Sequence, residues 1–178
     1  MKKVCIIFLL SIIISLTVFG FSGEFGQTAL KSGEYLRIHI RADSNEAEAQ
    51  AVKYLVRDGL VDYLTPIVAE CETKTQAING VRENLFGIEK KAERILSQNG
   101  FFYGARASLK KESFPTRVYG DYTLPAGEYT ALIVELGEGK GDNWWCVVYP
   151  PLCFAAPSGG NVVYKSKILE IIENWKNG

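Results

Sequence analysis

FPTRVYGDYTLPAGEYTALIVELGEGKGDNWWCVVYPPLCF, residues 114–154, decides the fold. Tyr129 to Leu136 alternates, with Leu132, Val134 and Leu136 on one face, which is the period of a half-buried strand. Trp144 to Tyr149 reads as a further strand, stopped by Pro150-Pro151, because proline cannot donate to a ladder. Between them Gly137-Glu-Gly-Lys-Gly-Asp-Asn143 reads as a loop. Ahead of the Leu124–Gly127 turn, Thr116 to Tyr122 is another strand, and Phe101 to Leu109 one more.

Working upstream, Tyr35-Leu-Arg-Ile-His-Ile-Arg41 alternates too. Leu36, Ile38 and Ile40 face one way; Tyr35, Arg37, His39 and Arg41 face the other, so this is a half-buried strand. Asp43-Ser-Asn-Glu46 offers helix caps. Val52, Leu55, Val56, Gly59, Leu60 and Tyr63 then form one stripe of a helix expected to run to about Leu64, with Pro66 disturbing its end. Thr73 and Gln76 fit a capping box, and the apolar rhythm from Ile78 to Ile95 predicts one helix closed by Asn99-Gly100. Downstream, Ile168, Ile171, Ile172 and Trp175 mark a short C-terminal amphipathic helix. The expected class is α+β: one strand, two packed helices, an antiparallel β-meander and a short C-terminal helix.

The chain has 178 residues, 47% hydrophobic and 22% charged, the composition of a folded domain. Formal net charge is zero, so no basic excess points to nucleic acid. Lys2 and Lys3 precede an apolar run from Val4 to Phe19, which reads as an export signal. Residues 1–20 are therefore expected to be a cleaved signal peptide or an uncleaved membrane anchor, 21–33 a linker, and 34–178 one exported α+β domain. An uncleaved segment would keep the protein in contact with the membrane.

Gly137–Gly141 lacks the spacing of a phosphate loop and has strands on both sides, so a hairpin loop is the reading. Glu135, Glu138 and Asp142 are too few for a metal site. His39 is the single histidine and could serve Cys146 as a base, but Cys146 sits mid-strand in an apolar run that disfavours a thiolate. No cofactor and no small-molecule substrate are expected. An exported enzyme acting on cell wall or peptide is the alternative that the export signal admits.

Two further features bear on partners. Trp144 and Trp145 point to opposite faces of their strand, and exposed tryptophan beside aromatics and arginine is the composition of a binding hot spot. The candidate contacts are Phe114, Arg117, Tyr119, Tyr122, Trp144 and Trp145. Arg106, Lys110, Lys111 and Arg117, with Glu112 among them, form a basic connection that is either a solvated hairpin or a steering surface for an acidic partner. Of the four cysteines, Cys146 and Cys153 are the natural pair for a disulfide across Pro150-Pro151; two buried free thiols is the other reading, and the residues leave both open.

The stretches FPTRVYGDYTLPAGEY (114–129) and GEGKGDNWWCVVYPPLCF (137–154) closely resemble the stage II sporulation protein R family. YLRIHIRADSNEAEAQAVKYLVRDGLVDYL (35–64) resembles that family's first strand and helix. The resemblance implies a non-enzymatic signal in endospore-forming bacteria, made in the forespore and exported to the space between the forespore and mother-cell membranes. There it would activate a multi-pass, membrane-embedded aspartic protease, which removes the pro-sequence of sigma factor E. The resemblance carries no functional residues with it, so the contact residues above rest on their chemistry.

Overall fold

The computed structural model describes residues 32–119 and 122–152. A 3-10 turn at Ser32–Glu34 leads into β1 (Leu36–Arg41). The helices α1 (Ala47–Ala69), α2 (Lys74–Glu83) and α3 (Leu85–Gln98) follow, then β2 (Ala105–Phe114), β3 (Arg117–Tyr119), β4 (Tyr122–Leu124), β5 (Gly127–Leu136) and β6 (Asn143–Tyr149). This is the α+β class read from the sequence. The expected C-terminal helix and residues 1–31 lie outside the described residues. No helix among the described residues is long and apolar enough to cross a membrane.

The order along the chain is not the order in the sheet. The four-stranded sheet runs β2-β5-β1-β6, and β3 pairs with β4 in a separate ribbon. β1 lies parallel to β5, with Ile38 opposite Leu132, and antiparallel to β6, with Ile38 also opposite Cys146. The chain thus leaves β1, lays its helices over one face, returns at the β2 edge, and closes around β1 with β5 and β6.

Helix ends differ from expectation in instructive ways. Asp43 and Asn45 do not cap α1. The cap position is Glu46, with no side-chain bond, while Asp43 Oδ1 accepts from the Glu138 amide at 2.8 Å and Asn45 Oδ1 from the Asp142 amide at 2.6 Å. α1 continues through Pro66 to Ala69, beyond the expected end near Leu64. One lost amide bond is offset there by complete burial of Leu64, Val68 and Ala69. The Thr73–Gln76 capping box forms as read. The helix behind it is two helices, broken at Asn84, where the backbone turns to φ −105°. The Asn84 side chain donates to the Gly80 carbonyl of α2 at 2.8 Å and accepts from Tyr63 of α1 at 3.2 Å.

β2 begins at Ala105 and not at Phe101, because the Phe101 amide still bonds the Leu96 carbonyl at the end of α3. The single strand expected over Thr116–Tyr122 is the antiparallel pair β3 and β4.

Apolar residues of β1, β5 and β6 (Leu36, Ile38, Ile40, Leu132, Val134, Cys146 and Val148) join the helices in one core. A second cluster, Tyr35, Phe114, Leu124, Tyr129, Ala131, Ile133 and Val147, fills the opposite face. The loop of residues 137–141 closes one end of the sheet. Gly137 and Gly139 hold φ of 57° and 63°, a region glycine enters without strain, and the Gly141 amide bonds the Ala42 carbonyl at 2.9 Å.

Candidate functional site

The alternation in β1 sends Arg37, His39 and Arg41 to the face away from the helices. A strand at a sheet edge would give them to water. β1 is flanked on both sides, and the chain between β2 and β5 folds over this face, so Arg37 is 0% and His39 1% exposed. The β2–β5 pair is a ten-residue ribbon, and such ribbons twist strongly. Its far end accordingly reaches β6: Phe114, paired with Gly127, meets the Trp145 ring at 4.8 Å, edge to face.

Arg37 is held in an aromatic cage. Its guanidinium lies 4.2 Å from the Phe114 ring centre, 4.9 Å from Tyr129 and 5.6 Å from Tyr119. Nη2 donates to the Tyr119 hydroxyl at 2.6 Å and Nε to the Cys146 carbonyl at 3.5 Å. That hydroxyl also donates to the Trp145 carbonyl at 3.4 Å. Among the described residues no carboxylate pairs with Arg37, so ring quadrupoles and neutral oxygens carry its charge. Burial pulls the Arg37 pKa down, opposed by Tyr119 and Tyr129, and pushes the Tyr119 hydroxyl up against the pull of Arg37.

His39 stacks on Trp145, with ring centres 3.8 Å apart and planes at 18°, and takes the edge of Phe114 at 6.0 Å. Burial holds the imidazole pKa below its ordinary value, with Asn143 opposing. Its Nδ1 is 3.8 Å from Glu112 Oε1. Glu112 is engaged elsewhere, accepting from Arg41 Nη2, while Arg41 Nη1 donates to Glu135 at 2.9 Å. These half-buried ion pairs close one end of the face.

The contact residues expected from the sequence are divided by this arrangement. Phe114 is 2% exposed and props the face from within. Tyr119 is half-buried and bonded to Arg37. Arg117 is exposed, its guanidinium 5.9 Å from the Trp145 ring, and Val118 beside it is 68% exposed. Trp144 and Trp145 do face opposite ways: Trp144 packs on the helical core with Arg57 at 5.8 Å, and Trp145 on the second cluster. Tyr122 sits in β4 opposite Tyr119, but its side chain lies outside the described part.

The same sheet separates the two residues of the nucleophile-and-base alternative. Cys146 is 3% exposed on the helix side, its sulfur in a disulfide, while His39 points to the other side. Cys153, the expected disulfide partner, lies outside the described residues; Cys71 is buried, its thiol donating to the Ile67 carbonyl at 3.2 Å. Among the described residues no group of three or more His, Cys, Asp or Glu could hold a metal ion. Glu135 serves Arg41, and Glu138 and Asp142 are exposed loop residues. The sequence reading missed Arg37, Tyr129 and Glu112. Two charged residues alternating with Ile in a short strand was the available signal.

The family model described as stage II sporulation protein R matches residues 32–158. The Stage II sporulation protein R of Bacillus subtilis (strain 168) is similar to this chain, 34% identical over 172 residues, covering 92% of this chain and 76% of the relative. No solved structure matches.

Proposed function

Because the chain belongs to the stage II sporulation protein R family, a role in sporulation is its premise, and we propose that it acts there as an exported signal and not as a catalyst. In this reading it is made in the forespore and carried by residues 1–20 to the space between the two membranes. There it activates a membrane-embedded aspartic protease that processes the sigma factor E precursor.

The observation that carries the reading is the family match, which spans every described strand and helix. The chemistry of the second face supports it. Its charged groups are held within the face, Arg37 by Tyr119 and Arg41 by Glu112 and Glu135, and His39 lies buried against Trp145 with neither ring nitrogen hydrogen-bonded. What reaches the surface is Arg117 and Val118 on β3, backed by Trp145, a rigid anchor of the kind that fills interface hot spots. A partner that bound this surface better in its active state would be shifted toward that state.

Co-expression of this protein with the protease and the sigma factor precursor tests the proposal. Processing is expected only when all three are present, and undiminished processing without this protein would overturn it.

A further inference from the structure

The outer edge of β2 is built to take another strand. Its register with β5 is unbroken from Ala105 to Phe114. The Ala107 amide donates to Glu89 Oε1 of α3 at 2.9 Å, so it points away from β5. Antiparallel ladders alternate inward and outward pairs. The amides and carbonyls of Leu109, Lys111 and Ser113 therefore point outward as well. Glu89 covers the start of this edge. Lys111 and Ser113 are exposed, and β2 is a terminal strand of the sheet.

Lysines on an edge ordinarily guard against pairing. Here the guard is mainly of one sign. Glu112 bonds Arg41 and also lies 3.8 Å from the Lys110 ammonium, while Arg106 and Lys111 are exposed with no carboxylate partner among the described residues. Burial, and after it the charge of Lys111, hold the pKa of Lys74 of α2 below its ordinary value, and its ammonium donates to the Gly33 carbonyl at 2.9 Å. Pairing β2 with a second copy of itself would bring these lysines together at a cost. An acidic strand would meet them favourably, and its backbone would satisfy the three outward amides.

We propose that the outer edge of β2, from Leu109 to Ser113, is a pairing site for an extended acidic segment of a partner protein. The inference goes beyond the activating role and does not depend on it, since binding is read on this chain alone.

The test uses the isotope-labelled full chain and two short synthetic peptides, one alternating valine with aspartate and one alternating valine with lysine. Amide exchange at Leu109, Lys111 and Ser113 is expected to slow about tenfold with the acidic peptide and to stay unchanged with the basic one. Lys111→Pro should abolish the protection while keeping the β2–β5 ladder, because the lost amide faces outward. If that variant fails to fold, Lys110→Glu with Lys111→Glu decides, and is expected to move the preference to the basic peptide. Unchanged exchange, equal protection by both peptides, or protection that rises with protein concentration without peptide would each overturn the proposal.

Discussion

The Tyr119 hydroxyl lies 2.6 Å from Nη2 of Arg37 and ties the β3–β4 ribbon to the central strand of the sheet. The ribbon pairs with no strand of the main sheet, so this bond and the burial of Leu124 hold it in place.

Tyr119→Phe is expected to cost about 1.5–3 kcal/mol, the range for a hydrogen bond to a charged group, because Arg37 Nη2 stays buried without its acceptor. The urea midpoint measures it. A midpoint equal to that of the parent would show that the ribbon is held by Leu124 and its neighbours alone.

Stability should fall as pH drops through 6.5. The ordinary imidazole value is 6.5 and burial lowers that of His39 in the folded state. Below 6.5 the unfolded chain therefore binds a proton that the folded chain resists, and stability is lost toward the lower folded value. Urea midpoints between pH 7.5 and 5.5 should decline for the parent and stay flatter for His39→Gln. Parallel pH profiles for the two would refute the assignment.

Gly141→Ala should destabilise the closed end of the sheet by about 1–3 kcal/mol, the cost of overpacking. A β-carbon there would run into the backbone carbonyl of Ser44, which cannot swing aside as a side chain would. Thermal unfolding is the measurement. The control is Gly33→Ala, where a β-carbon meets nothing within 4 Å; equal losses at both positions would refute the contact.

Arg117→Ala and Val118→Asp separate surface from support. Both side chains are exposed, so stability should change by less than about 0.5 kcal/mol. Precursor processing in the co-expression assay should nonetheless fall severalfold. Phe114→Ala is expected to do the opposite first, lowering stability by about 3–5 kcal/mol as a buried aromatic is removed. Full processing by both surface variants would place the partner elsewhere.

Much of the local structure was legible. The capping box at Thr73, the alternation in β1, the opposed tryptophans and the β character of residues 114–149 follow from short-range rules, and the structure has them. Legibility failed where a side chain had two uses. Asp43 and Asn45 have cap chemistry, yet their oxygens are taken by Glu138 and Asp142, almost a hundred residues away in the chain. The break at Asn84 depends on the Tyr63 hydroxyl of another helix. The contact residues divided for the same reason, since Phe114 is a surface candidate only while β2 is imagined straight.

By itself the sequence determined most of the elements, their periodic faces and the family, because these rest on neighbours within a few residues and on quoted motifs. Only the tertiary structure decided that β1 lies between β5 and β6. That placement depends on pairings far apart in the chain, which leave no local signature. It turns Arg37 and His39 from a solvent-facing row into a buried, ring-enclosed one, and leaves β2 as a terminal strand of the sheet among the described residues.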